Sequence, residues 1–364
     1  MSLRAGGCSC VMPFIAGISF KAPLNRYEHA EVLSEFLSAL KELGANQRLI
    51  ERIYRNSGVK TKHLAYPLNE YRNFGGMQDR NDRFLAAAVP LIEASLTELL
   101  ATAGIGAESI SLLTTATVTG LAIPSLDARL MNRLPFRRDT KRLPIFGLGC
   151  VAGVAGINRV ADYLAGHPQE AAIFSAVELC SLSWQPSTDL ANVVSTSLFG
   201  DGCASVLLCG DEHPLREAAP FEIVDYTSEF LPDTERTMGF DVADEGLLVV
   251  LSASVPDVVR NELAPVVTTL REKSHYEQPW DFYVCHPGGP KVIKAIEATF
   301  KLEHNELKQT WDSLSDNANM SSVSVLDILR RTAQLEIPAG QNGVMTAMGP
   351  AFCIEATHLR KNHH

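Results

Sequence analysis

The chain has 364 residues, 46% of them hydrophobic and 20% charged, and a formal net charge of −10. That length and apolar content bury a large core and suit two domains or one duplicated unit. The acidic balance, with no long basic run, argues against nucleic acid and anionic membrane surfaces as partners, and no apolar stretch reads as long enough to span a bilayer.

Met1 to Cys10 carries one arginine and no apolar stretch before Pro13, so it does not read as a signal peptide. Cys8-Ser-Cys10 has no second Cys/His pair with ligand spacing, so no metal site is expected and the segment reads as a mobile tail. Eight cysteines scattered through apolar segments predict reduced thiols and a cytoplasmic setting. Phe14 to Phe20 predicts the first strand. Asn25 with Glu28 offers a capping box for a helix whose apolar stripe is Leu33, Phe36, Leu37 and Leu40. Arg48, Arg52, Arg55, Lys60, Lys62 and His63 form a local basic cluster, either a solvated helix face or a patch for cofactor phosphates. Asp82 to Ala103 predicts a second helix, kinked at Pro90, and Ile110 to Thr117 another strand.

The stretch PIFGLGCVAGVAGINRVADYLAGHP, from Pro144 to Pro168, is the most informative. Pro144 to Leu148 predicts a buried strand. Val154, Ile157, Val160 and Leu164 then mark a helix that Gly166 and Pro168 stop. Cys150 therefore stands where a strand turns into a helix. Free backbone N–H groups and the macrodipole there favour a thiolate, and a buried structural cysteine is the alternative.

Ala171 to Leu179 and Ser205 to Cys209 predict further strands, the second preceded by the turn Phe199-Gly200-Asp201-Gly202. Buried strands alternating with helices indicate an α/β protein. The polar stretch Gly210 to Ala218 divides the chain into 1–212 and 213–364, after which the pattern restarts. A helix follows Pro256, a strand spans Asp281 to Cys285, and His286-Pro-Gly-Gly-Pro290 opens another helix. A third such turn, Asn317 to Ser322, opens the helix Val323 to Arg331. Thiol, imidazole and carboxamide thus stand on three helix-opening turns. Papain-like hydrolases share Cys, His and Asn, but not a duplicated strand–turn–helix frame.

The stretches GLGCVAGVAG, VELCSLSW, SLFGDG, HPGGPK and NMSSVSVL resemble those of type III polyketide synthases, the chalcone-synthase-like enzymes. The resemblance implies a duplicated thiolase-like fold, layered α-β-α-β-α with mixed five-stranded sheets. It makes Cys150 the acyl-accepting nucleophile and His286 and Asn319 its catalytic partners. Phe199 matches a gatekeeper phenylalanine and Val249 stands where a second is expected. Val118, Cys180 and Ser183 fall on cavity-lining threonines. Arg52, Lys60, Lys62, Gly288 and Lys291 are the coenzyme A-binding positions, and Ile123 falls on the residue that crosses the family's dimer interface, so a homodimer is implied.

The implied chemistry transfers an acyl group from coenzyme A to Cys150. Malonyl-CoA then loses CO₂ with its thioester oxygen held by His286 and Asn319, and the enolate attacks the Cys150 thioester. CoA thioesters are substrates, and no cofactor is implied. The family's GFGPG loop is replaced by Ala347-Met348-Gly349-Pro350-Ala351. That loop, GLGCVAG and Cys180 resemble the bacterial branch making alkylpyrones and alkylresorcinols from fatty acyl starters, and Val249 adds apolar volume. The alternatives are a tetrahydroxynaphthalene-like product from malonyl or short starters, a ketoacyl synthase III-like single condensation, and a non-catalytic lipid-binding homologue.

Overall fold

The computed structural model describes residues 12–362, so Cys8 and Cys10 lie outside the described residues. β1 (Phe14–Lys21) is followed by a ribbon of β2 (Asn25–Glu28) and β3 (Thr61–Leu64), with α1 (His29–Ala39) and α2 (Gln47–Arg55) between its strands. Pairing with β3 keeps Asn25 extended, so the capping box forms instead between Glu28 and Glu31. α3 (Met77–Ala103) starts earlier than the sequence suggests and contains Pro90. Contrary to the sequence expectation, it is long and apolar enough to cross a membrane by length and composition. Here Phe84, Ala88, Ile92, Leu96 and Leu99 are buried as it packs on the sheet.

β4 (Ile110–Thr117) precedes α4 (Leu126–Leu130) and β5 (Lys141–Phe146). The strand expected at Pro144 to Leu148 is therefore shifted, and it is not buried. Among the described residues β5 pairs with β4 alone, and it is largely exposed, with Phe146 56% accessible. Pro144 is tolerated because an edge strand has one unpaired side. After α5 (Ala152–Ala165) come β6 (Ala171–Leu179), α6 (Leu190–Leu198) and β7 (Asp201–Cys209).

The second half opens with β8 (Phe221–Phe230) and a hairpin of β9 (Met238–Ala243) and β10 (Gly246–Leu251). Then follow α7 (Val255–Lys273), β11 (Phe282–Cys285), α8 (Pro290–Phe300), α9 (Lys308–Asn317), α10 (Ser322–Ala333), β12 (Asn342–Gly349) and β13 (Cys353–Lys361).

The pairing senses display the duplication. In the first half β1, β7 and β6 are successively antiparallel, and β6, β4 and β5 parallel. In the second, β8, β13 and β12 are antiparallel and β11 joins β12 in parallel. The two sheets are not separate five-stranded layers: β1 also pairs with β8 at Phe14↔Glu222 and Ile15↔Phe221, giving one 9-stranded mixed sheet. The second half has no described counterpart of β5.

α5 and α10 form the central layer, touching strands of both halves, while α3 covers the first half and α7 the second. This is why α5 is buried almost all round rather than along one stripe. A Cβ on Gly153 would lie 2.3 Å from the Ser322 carbonyl oxygen, so only glycine lets the two helices approach this closely. That contact brings the Cys150 turn beside the turn bearing Asn319.

Candidate active site

Cys150 sits in a 3₁₀ turn, Gly149–Val151, that runs directly into α5. His286 follows β11 and is 2% exposed, and its backbone N–H donates to the Thr346 carbonyl at 2.9 Å. Asn319 lies between α9 and α10 and is 1% exposed. Its N–H donates to the Leu198 carbonyl at 2.9 Å, and its carbonyl accepts from the Gly200 N–H at 3.0 Å. Flanking Asn319, Ala318 and Ser321 have φ of 63° and 49°, a strained backbone that such fixed bonds hold in place.

All three side chains line one cavity of about 80 Å³, together with Val118, Cys180, Phe199, Val249 and Gly288. Its remaining wall is mostly apolar, with Leu251, Val255 and Val259 among the lining residues. Met348 and Pro350 of the altered Ala347–Ala351 loop line the cavity. A Cβ on Gly349 between them would meet the Leu148 carbonyl oxygen at 2.4 Å, which accounts for the glycine standing there.

The electrostatics correct one expectation. Burial pushes the Cys150 thiol up to about 12, and Glu178 pushes the same way, outweighing the Ser321 hydroxyl. The helix N-terminus alone therefore does not make a thiolate here. Burial likewise pushes His286 down to about 3, so its imidazole is neutral, and neither ring nitrogen has a hydrogen-bond partner among the described residues. It is thus a neutral imidazole whose nitrogens no described residue engages, lining the same cavity as the thiol. Asn319 Oδ1 accepts from the Ser321 N–H at 2.8 Å, leaving Nδ2 as the donor end. The site can offer two neutral donors to an oxyanion, and His286 can take the sulfur proton only as the sulfur forms its new bond.

Other expected residues are placed differently. Ser183 does not line this cavity. It borders a separate void with Arg80, Thr119 and Leu247, and its hydroxyl donates to the Cys180 carbonyl at 2.7 Å. Lys62 is not available to coenzyme A at the surface: it is 1% exposed, because β3 turns it into the core. Arg52, Lys60 and Lys291 are exposed, with no ion-pairing carboxylate among the described residues. Ile123 is 94% exposed and lies outside the cavity.

Two contributors escape motif reading. Ser321 lines the cavity within the NMSS stretch. Glu178, in VELCSLSW, is fully buried and accepts from the Ser322 hydroxyl at 2.6 Å, the Val118 N–H at 3.0 Å and the Thr119 hydroxyl at 2.9 Å. It ties β6 to the segment after β4 and to the start of α10. Among the described residues no group of His, Cys, Asp or Glu side chains is arranged to hold a metal ion.

The chain is similar to known proteins over nearly its whole length. Residues 16–229 match the family described as FAE1/type III polyketide synthase-like protein, and residues 222–362 the C-terminal domain of chalcone and stilbene synthases. The chain is 39% identical to a 1,3,6,8-tetrahydroxynaphthalene synthase of Streptomyces peucetius over 95% of its length and 92% of the relative's. It is 28% identical to the alpha-pyrone synthesis polyketide synthase-like Pks18 of Mycobacterium tuberculosis, over 94% of this chain and 89% of that one. The crystal structure of 1,3,6,8-tetrahydroxynaphthalene synthase from Streptomyces coelicolor superposes with a TM-score of 0.90 at 28% identity, covering 96% of this chain and 100% of that one. With its thiol, imidazole and carboxamide converging on one cavity between duplicated halves, the chain belongs to the type III polyketide synthases, acyltransferases of the thiolase-like fold.

Proposed function

We propose that this protein condenses an apolar acyl-CoA starter with several malonyl-CoA units, with Cys150 as acyl carrier and His286 and Asn319 as the decarboxylation pair. The observation that carries the reading is the convergence of these three side chains on one largely apolar cavity. His286 takes the Cys150 proton as sulfur attacks the starter thioester, then returns it to the departing coenzyme A sulfur, so that coenzyme A leaves as its thiol and the imidazole is neutral again. Malonyl-CoA then binds with its thioester oxygen facing the His286 imidazole and Asn319 Nδ2. Its carboxylate departs as CO₂, and the electron pair of the broken C–C bond forms an enolate that these neutral donors stabilise. The enolate carbon attacks the acyl thioester, freeing the thiolate and leaving a chain longer by one unit on coenzyme A. Return of that chain to Cys150 permits the next round, and cyclisation to an alkylpyrone- or alkylresorcinol-type product ends it.

Val249, Leu251, Val255 and Val259 support an alkyl starter, since burying each methylene against such a wall is favourable. Arg52, Lys60 and Lys291 are exposed cations suited to the phosphates of coenzyme A, and Gly288 borders the cavity. Uncovered apolar groups at Leu121, Ile123, Leu143 and Phe146 support a homodimer that buries the β5 edge.

A second reading, a malonyl-primed tetrahydroxynaphthalene-type product, is favoured by the similarity to the Streptomyces peucetius synthase. The deciding experiment incubates the purified protein with malonyl-CoA alone and with acyl-CoA starters of increasing length, and identifies products by mass spectrometry. Alkyl-bearing products whose specificity constant rises with starter length support the first reading. Product from malonyl-CoA alone, unaffected by acyl-CoA, supports the second.

A further inference from the structure

The deepest cation near the site is one the chemistry above does not use. Lys62 is 1% exposed, and its Nζ donates to the carbonyls of Thr196 at 2.6 Å and Phe199 at 2.9 Å. These carbonyls belong to the C-terminal end of α6, where helix geometry leaves acceptors without intrahelical donors and concentrates negative partial charge. The next residues carry two functions. The Phe199 ring lines the catalytic cavity, and Phe199 forms an isolated parallel bridge with Asn319. On that bridge the Asn319 N–H donates to Leu198 and the Gly200 N–H returns a bond to the Asn319 carbonyl.

The backbone at 198–200 is therefore gripped from two sides, by Asn319 on the cavity side and by Lys62 from the core. Lys62 also borders a small cavity of about 30 Å³ whose other lining includes Cys180 and Phe199, so it stands directly behind the wall of the reaction chamber. The nearby carboxylate, Asp201, is occupied elsewhere: it accepts from the Ala65 N–H at 2.7 Å and from the Ser181 N–H and hydroxyl at 2.8 and 2.5 Å. No carboxylate pairs directly with Lys62 among the described residues, so the α6 carbonyls are its main ligands.

We propose that Lys62 is a positioning residue for decarboxylation: it holds the end of α6 that carries Phe199 and, through the Phe199–Asn319 bridge, aims the Asn319 carboxamide. Burial pushes its pKa down to about 7, with Asp201 pushing back. A burial cost of that kind is kept where hydrogen bonds to the charge define a geometry. The inference rests on Asn319 being an oxyanion donor, as argued above.

The test measures malonyl-CoA decarboxylation by the full-length protein, comparing wild type, Lys62→Met and Lys62→Arg. A misplacement near 1 Å costs on the order of 10²-fold. Lys62→Met should therefore lower kcat by about that factor, with KM for malonyl-CoA and acyl loading of Cys150 retained. Lys62→Arg, which can still donate to both carbonyls, should recover most of the rate. If Lys62→Met does not fold, Lys62→Gln replaces it and hydrogen–deuterium exchange is read as well. The Gly200 and Asn319 amides should then exchange faster than those of β6, and unchanged exchange overturns the proposal. A variant with normal kcat overturns it, and so does a raised KM at normal kcat, which would make Lys62 a ligand of coenzyme A after all. Failure of the wild type itself to decarboxylate malonyl-CoA would overturn the functional reading and this one with it.

Discussion

The carboxamide oxygen of Asn319 accepts a 2.8 Å hydrogen bond from the backbone N–H of Ser321. That bond orients the side chain and leaves its N–H donors for an oxyanion. Asn319→Asp keeps an acceptor for Ser321 but puts a second acceptor where the donor stood. Asn319→Asp and Asn319→Ala should each slow malonyl-CoA decarboxylation by about 10²–10³-fold, the usual cost of losing one oxyanion donor. Acyl labelling of Cys150 should be far less affected. Equal losses in labelling would reduce Asn319 to a structural cap.

His286 and Cys150 should prove interdependent. A thiol pushed up to about 12 is ionised at neutral pH only to the order of one part in 10⁵. The neutral imidazole is the available base, because the buried Glu178 carboxylate is already occupied. His286→Gln should lower the neutral-pH rate of Cys150 alkylation by iodoacetamide roughly 10²-fold, the lower end of what a positioned base contributes. An unchanged rate would mean that the helix N-terminus ionises the thiol unaided.

Stability should depend on pH through a histidine remote from catalysis. His358 is 1% exposed, its Nε2 lies 2.8 Å from Asn342 Oδ1, and burial lowers its pKa from 6.5 to about 4. The unfolded chain then binds a proton that the folded chain refuses, so stability is present above 6.5 and is lost as pH falls from 6.5 towards 4. Asp201, raised to about 6, acts in the opposite sense over part of that range. The informative quantity is therefore the difference between wild type and His358→Gln in denaturant titrations across these pH values. The variant should lose about one proton's worth of slope. Parallel curves would count against a neutral buried His358.

Val249 borders the cavity from β10, where the resemblance implies an aromatic side chain. Val249→Phe should fill space used by an alkyl starter, at about 0.8 kcal/mol for each methylene displaced. Specificity constants for medium and long acyl-CoA starters should drop steeply while short starters change little. A uniform drop at all lengths would remove the support that Val249 lends to a fatty acyl substrate.

The parts of this site that were legible in the sequence are those where one residue type marks a turn. Cys150, His286 and Asn319 each follow a run of strand or helix signal and open a helix, and the structure brings all three to one cavity. What escaped depends on which way a side chain points. Lys62 sits among other basic residues and reads as part of a surface patch, yet in the four-residue β3 it faces inward. Pro144 to Leu148 reads as buried because it is apolar, but a strand at the sheet edge keeps those side chains in the open. The joining of the two sheets through β1 and β8 rests on two residue pairs with no local signature. Glu178 is one polar residue within an apolar strand, and only its partners, Val118 and Thr119 after β4 and Ser322 of α10, reveal its role.

The most direct test of the whole account is to acid-quench the enzyme during turnover with an acyl-CoA starter and malonyl-CoA, then map the acyl groups by peptide mass spectrometry. The account predicts that the peptide containing Cys150 carries the starter and chains extended by two or more units, and that Cys150→Ala abolishes both the label and the released polyketide. Acyl groups on another residue, or a single extension and no longer chain, would contradict it.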